Sequence, residues 1–489
     1  MHVVFVYGAY ENLGIETLSA CLKRAGHRVS LVYSPLLFRD ATLDLPGPAS
    51  WLNRDDALVE RAVRLEPDLL AVSSVTDWFQ WQIDFVRAFR RRRGGTPVIW
   101  GGIHPTTAPE RVLAHPEVDW VCVGEGEEAL VELCDALDAG RGPEGIANLR
   151  GRGFANAPRP LIRDLDALPF PDKDLFYAHA PYLKSAYTIM GSRGCPFRCT
   201  FCNNDALRRI YADDRPFVRR RSVASMLDEL EQGLRRHDFR AVLFEDDVFT
   251  GDIARTRAFC EGYKRRIGRP FVIETHPLTT DPEELALLRD AGCVQVEIGV
   301  QTLNPEARRR VGRHESNAQI EAALRALSQA GIPFFCDHIV GLAGDDVGFH
   351  EQALRLYNEV RPSRLNCFFL SYYPGTGVAE DARNRGALDP DLEARILAGR
   401  TGSNEQFGSL TDADERAQAD SLRFIFAWLP LLPRPMVAWL LDGRRYRRLP
   451  RSVLASKILA GLFATVFGRE PRGDTILARY VHHLLRLGR

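Results

Sequence analysis

No run of about 18 uncharged apolar residues occurs in this chain of 489 residues, and a bilayer-spanning helix needs about that many. A spanning segment is therefore not expected. Charge of one sign is also lacking. Lys and Arg total 64 and so do Asp and Glu, so no global field draws the chain to nucleic acid. The N-terminus shows no basic-then-apolar signal pattern. With that absence, the 10 cysteines read as reduced thiols in a cytosol, and a cytoplasmic location is expected. A hydrophobic content of 45% is ordinary for a globular protein, and the length allows two or three domains.

A fourth cysteine is missing where it would matter most. Cys195, Cys199 and Cys202 form a C-x3-C-x2-C window, and the next cysteine is Cys260. Iron–sulfur clusters are held by thiolates, and four protein ligands would cap every iron of a four-iron cluster. Three leave one iron open to an exogenous ligand, as catalytic zinc sites keep an open position. A three-cysteine zinc site and chance are the competing readings. Zinc loops usually come as two separated ligand pairs. Chance does not account for the flanks, Ser192-Arg193-Gly194 before and Asn203-Asn204 after. The window resembles the cluster loop of the radical S-adenosylmethionine superfamily, C-x3-C-x-aromatic-C, with Phe201 as the aromatic. Cys21, Cys122, Cys134, Cys260, Cys293, Cys336 and Cys367 lie mostly in apolar stretches and read as small core residues.

Over residues 1–140, strand-like runs alternate with helical segments: His2 to Tyr7, Val29 to Tyr33, Leu69 to Ser73, Pro97 to Trp100 and Trp120 to Val123. This rhythm predicts a parallel, doubly wound Rossmann-like sheet, whose ligands bind beyond the carboxyl ends of the strands. Ser73, Ser74 and Thr76 follow the third run. Gly101, Gly102, His104, Pro105 and Thr106 follow the fourth, and Gly124, Glu125 and Glu127 the fifth. Ordinary tight turns are one reading of these loops. As a set they resemble the cobalamin-binding domain that precedes many radical S-adenosylmethionine cores. That resemblance implies that the His104 loop and the Gly124–Glu127 loop line the corrin and its nucleotide tail. Members that ligate cobalt through histidine carry it in the loop after the first strand. Here Gly8 to Gly14 has none, so His104 is expected to be a wall residue and cobalt to lack a protein histidine.

Residues 141–186, rich in Gly, Pro, Asp and Arg, read as an extended linker. From 187 to 380 six further strand-like runs predict a partial (β/α)6 barrel with its site at the strand ends. The resemblance assigns S-adenosylmethionine contacts to Phe201, Asp246, Asp247, Glu297, Gln301, Gly341 and Leu342. Glu245-Asp246-Asp247 stands where the superfamily usually has Gly-Gly-Glu, and it matches the Asp-Asp-x-Phe form of cobalamin-dependent members. His276 and His338, also at strand ends, are expected to be structural.

Residues 381–489 predict a helical region. The apolar segments Phe424 to Leu441 and Val453 to Phe467, flanking basic Arg444 to Arg448, suggest a helical lid or a peripheral membrane contact. The resemblance as a whole implies an enzyme with a 4Fe-4S cluster, S-adenosylmethionine and cobalamin. Reductive cleavage of S-adenosylmethionine would give a 5′-deoxyadenosyl radical, leading to C-methylation of an unactivated carbon in a natural-product or lipid substrate. It also implies an external electron donor of flavodoxin or ferredoxin type. A radical cyclase like the tetrapyrrole ring cyclases and a cobalamin-binding regulatory protein are the alternatives. An open iron argues against the regulator.

Overall fold

The N-terminal sheet is built from β1 (His2–Gly8), β2 (Arg28–Ser34), β3 (Leu69–Ser73), β4 (Val98–Gly101) and β5 (Trp120–Cys122), all parallel in the order 2-1-3-4-5. Every residue of β1 is buried. Its period of two explains why. Val3, Phe5 and Tyr7 enter one core while Val4 and Val6 enter another on the opposite face. Helices therefore cover both sides, as in a doubly wound fold. In the first of them, Leu13–Arg24, the Asn12 side chain accepts the Ile15 N–H at 2.9 Å, and Gly26 follows the C-terminus at φ +90°. The computed structural model describes residues 1–39, 49, 52–400, 408, 413–449 and 478–484.

The stretch expected to be an extended linker does more. β6 (Leu149–Gly151) and β7 (Phe154–Ala155) add antiparallel strands beyond β5. A short helix, Asp174–Tyr177, buries Leu175, Phe176 and Tyr177 in the first core. Its prolines hid this: Leu149, Leu175 and Phe176 are too widely spaced to show a period, yet each is an anchor.

The second sheet holds β8 (Ala186–Ile189), with β9 (Ser192–Arg193) and β10 (Arg219–Arg220) forming a separate antiparallel pair after it. β11 (Ala241–Phe244), β12 (Phe271–Thr275), β13 (Cys293–Gln301), β14 (Phe334–Val340) and β15 (Arg364–Phe369) complete a six-stranded parallel sheet in consecutive order. This is the order of an unclosed (β/α)6 barrel. Val296, Ile298 and Val300 pack into the helix-side core, so Gln295, Glu297, Gly299 and Gln301 face the other, interior side.

Beyond the barrel, helices Gly377–Asn384 and Pro390–Leu397 pack with Leu342 near the strand ends. Helix Ala413–Trp428 also meets the ends of β14 and β15, where Ala419 packs on Val340 and Phe369, but its second half and helix Arg434–Leu441 turn to the barrel's outer wall. Leu422, Ile425, Phe426 and Leu429 join Leu354 and Tyr357 in the helix-side core, outside β14. The lid expected of Phe424 to Leu441 is thus a buttress on the barrel wall. Val453 to Phe467 falls outside the described residues. Among the described residues no helix is long and apolar enough to cross a membrane. Cys21, Cys122, Cys134, Cys260, Cys293 and Cys336 are buried as expected, and Cys367 is half-buried.

Candidate functional site

The cysteine loop leaves β9 through Gly194, at φ +82°. A Cβ there would stand 2.7 Å from the Phe217 carbonyl oxygen, so only glycine fits. The Thr200 N–H donates to Val311 O and the Val378 N–H to Thr200 O, each at 3.0 Å. Arg208 donates to the Cys195 carbonyl. Cys202 precedes helix Asn203–Ile210, and Asn204 Nδ2 lies 3.8 Å from its sulfur and 2.8 Å from Asp247 Oδ1. Asp247 therefore sits beside the loop.

Burial, reinforced by Asp247 and by the neighbouring thiols, pushes the Cys195 thiol up to about 12. Burial likewise raises Cys199 to about 11 and raises Cys202. Such thiols gain little by ionising unless a cation joins them, and metal coordination deprotonates a thiol outright. Among the described residues no three His, Cys, Asp or Glu side chains converge on one point, as a single ion requires. A four-iron cluster takes each thiolate on a different iron, so the donor set fits it without such convergence.

Asp246 has another task. It accepts the Gly191 N–H at 2.9 Å and the Ser192 hydroxyl, so both oxygens are committed to the turn before the cysteines. Burial raises it to about 6. The two contacts tie Asp246 to the turn that leads into the cysteine loop. Glu297 shares the interior face with Gln301, which has φ +66°, and the amide of Gln301 fills the space over Gly299. Leu342 is fully buried, with Phe201 packed against the same cluster, and Gly341 has φ +91°. His276 stacks on Phe197 with ring centroids 3.6 Å apart, and burial lowers it to about 2. His338 is sealed between Tyr357 at 3.1 Å and His350 at 2.9 Å. Both histidines are buried.

On the first sheet the loops divide into scaffold and open surface. Trp100 Nε1–H donates to Ser74 Oγ, which also pairs with Gln82. A Cβ on Gly102, at φ +97°, would stand 2.7 Å from Ser74 N and O. His104 is fully buried, 3.1 Å from Thr76 Oγ1 and against Phe79; burial lowers it to about 4. The Thr106 hydroxyl accepts the Gly124 N–H at 3.0 Å, and Pro105 is buried. These residues hold the loops together, so His104 is a core residue and not a wall. Gly101 differs: an added Cβ would meet no atom within 4 Å. It and the half-buried Ser73 beside it leave room for a ligand to approach the backbone. Glu125 and Glu127, assigned to cobalamin from the sequence, accept instead from Arg193 at 3.0 and 2.6 Å, and Glu125 also from Arg219 at 2.8 Å.

Sequence reasoning missed Arg193, Arg219 and Arg313. Arg313 pairs with Glu315, both buried, and donates to Gly299 O at 2.6 Å; it also lowers the Cys199 thiol against its burial. Arginine in a chain with 64 basic residues carries no signal of its own. The doublet Glu125-x-Glu127 was visible, but its partners lie 66 or more residues away.

Comparison with known proteins agrees with both halves. The family model "Radical SAM superfamily" matches residues 189–356 and "B12 binding domain" matches 3–134. The anaerobic magnesium-protoporphyrin IX monomethyl ester cyclase of Rubrivivax gelatinosus is 26% identical, over 78% of this chain and 70% of the relative. The hopanoid C-3 methylase of Methylococcus capsulatus is 25% identical, over 76% of this chain and 68% of the relative. The solved structure of the radical S-adenosylmethionine methyltransferase TsrM from Kitasatospora setae, with cobalamin and a [4Fe-4S] cluster bound, superposes with a TM-score of 0.62 at 19% identity, covering 80% of this chain and 76% of that one. The cofactors of these two domains are a 4Fe-4S cluster, S-adenosylmethionine and cobalamin. With a cysteine loop at the mouth of an unclosed barrel and a B12-binding sheet docked beside it, the chain belongs to the cobalamin-binding radical S-adenosylmethionine enzymes.

Proposed function

We propose that this enzyme methylates an unactivated carbon of a small, largely apolar substrate. The observation that carries the reading is the direct docking of the cysteine loop on the B12-binding sheet, through Arg193 to Glu125 and Glu127. When bound, the three cofactors supply an electron, a hydrogen-abstracting species and a transferable methyl group. Cys195, Cys199 and Cys202 would hold the cluster. Asp247, beside them, would accept from the ammonium of S-adenosylmethionine, with Glu297 and Gln301 on the interior face for its remaining polar groups. Ser73 and Gly101 would face the corrin. Phe368 lies on the same face of β15 as Asn366 and is 52% exposed, offering apolar surface to a substrate. The names of several relatives, the hopanoid methylase among them, support methylation and an apolar substrate.

The test is anaerobic turnover of reconstituted enzyme with methyl-labelled S-adenosylmethionine, an external reductant and extract of the source cells. Label entering a small molecule supports methylation. Cleavage of S-adenosylmethionine with an unlabelled product would favour ring closure, the activity named for the cyclase relative. The electron donor is proposed to be of flavodoxin or ferredoxin type. A peripheral membrane contact is proposed for the outer buttress, where Leu431, Met436 and Trp439 are 44, 48 and 56% exposed. Much of the basic cluster beside them is already engaged: Arg444 with Glu351 at 3.0 Å and Arg447 with Gln418 at 2.9 Å. Co-sedimentation with anionic vesicles at low salt tests this contact; protein left in the supernatant excludes it.

A further inference from the structure

We propose that Arg193 is a positioning residue that fixes the spacing between the cluster loop and the cobalamin-side loop; this rests on the enzyme reading above. Arg193 lies two residues before Cys195. Its guanidinium forks between two carboxylates of the first sheet, Nη1 to Glu125 at 3.0 Å and Nη2 to Glu127 at 2.6 Å. Its register partner across the β9–β10 pair is Arg219. Like charges directly opposite one another repel, and Glu125 removes that conflict by accepting from both, with Arg219 Nη1 at 2.8 and 3.0 Å from its two oxygens. Glu127 is only 6% exposed and Arg219 only 5%, so water screens these contacts little.

A second attachment lies at the other end of the cysteine segment. Tyr211 caps the helix that begins after Cys202. Its hydroxyl accepts the Glu125 N–H at 3.2 Å, and it fills the space that Gly124 leaves by lacking a Cβ. The segment bearing all three cysteines is thus tied before Cys195 and after Cys202 to the same loop, through Gly124, Glu125 and Glu127. Two ties fix an orientation as well as a distance, and a planar guanidinium on two acceptors is direction-specific in a way a lysine is not. A loop that only needed to hold a cluster would not require a clamp on the neighbouring domain. One whose chemistry must meet a second cofactor would, because small misplacements are costly in rate.

The test uses the full chain, reconstituted anaerobically and loaded with cobalamin, as wild type, Arg193→Gln, Glu127→Gln and the double variant. Iron and cobalamin contents are measured first. The readout is the acceleration of cob(II)alamin electron-spin relaxation by the reduced cluster, which depends steeply on the separation of the two centres. Retained cofactors with a several-fold loss of this acceleration in each single variant, and no further loss in the double, are expected. Unchanged relaxation in both single variants overturns the proposal. So does loss of cobalamin in Glu127→Gln with the cluster intact, which would place Glu127 against the corrin. Should Arg193→Gln fail to hold its cluster, Glu127→Gln decides alone, since it is remote in sequence from the cysteines. A wild type lacking iron or cobalamin overturns the enzyme reading, and this proposal with it.

Discussion

The amide of Asn366 bridges two acids on neighbouring strands, donating to Asp337 at 2.9 Å and to Glu297 at 3.3 Å. Asp337 is half-buried on β14. Burial, then the charge of Glu297, then that of Glu274, holds it well above the usual carboxylate range. The neutral form is thereby favoured in the folded chain, and that form can donate a hydrogen bond to Glu297.

A pH prediction follows from the sign. The folded pKa exceeds the unfolded value of about 3.9. The stability this group contributes is present below that value and is lost as pH rises toward the folded pKa. Asp337→Asn keeps the shape and cannot ionise. Its stability relative to wild type should improve with rising pH, by at most about 1.4 kcal/mol per pH unit. Urea midpoints at pH 5 and pH 8 check this; a constant difference between the proteins would refute it.

Changing Cys195, Cys199 and Cys202 together to alanine should remove essentially all bound iron and all reductive cleavage of S-adenosylmethionine. Cys260→Ala is the control. Its thiol is buried in the helix-side core, so iron content should be unaffected. Stoichiometric zinc without iron in wild type would contradict the cluster assignment.

Adjacent glycines should behave differently. Gly102→Ala forces a Cβ against Ser74 backbone atoms at 2.7 Å in a left-handed conformation, so it should destabilise the first domain by about 1–3 kcal/mol. Gly101→Val enters open space. It should fold normally and bind cobalamin more weakly. Melting temperature and bound cobalamin, measured on both, separate the two roles. Equal melting temperatures would refute the contrast.

Both sheets were legible because buried parallel strands are unbroken apolar runs, such as His2 to Gly8, punctuated by glycine. The cysteine loop was legible because its ligands are local. What the sequence concealed is non-local. Asp246 looks like a free acid at a strand end until the turn at Gly191 and Ser192 is folded onto it. His104 and Ser74 look like ligand-facing groups until Trp100, Gln82 and Phe79 close around them. Glu125 and Glu127 read as a cofactor loop because Arg193 and Arg219 belong to another domain. Polar residues at strand ends are shared between binding ligands and joining domains, and residue type alone does not separate the two uses.

The other domain joint gives the last prediction. Lys173 donates to Glu11 at 2.6 Å and to Glu16 at 2.8 Å, and the Thr188 hydroxyl of β8 donates to Glu11 at 3.1 Å. The side chains of Lys173, Glu11 and Glu16 are 3, 6 and 0% exposed. One ammonium thus offsets two buried carboxylates where the first sheet, the connector and the barrel meet. Burial and the charge of Glu11 hold Glu16 well above the usual range even with Lys173 present. Lys173→Met would strand both acids, and breaking a buried pair from one side costs about 3–5 kcal/mol. The cost should depend on pH. Without the ammonium Glu16 must take up a proton to remain buried, so its pKa rises further and stability falls as pH increases through it. The variant should lie closest to wild type near pH 5 and furthest from it near pH 8. Adding Glu16→Gln should recover part of the loss at pH 8. Thermal melts of the three proteins across this range are the measurement, and a loss independent of pH, or no rescue by Glu16→Gln, would show that the triad is held by packing and not by charge.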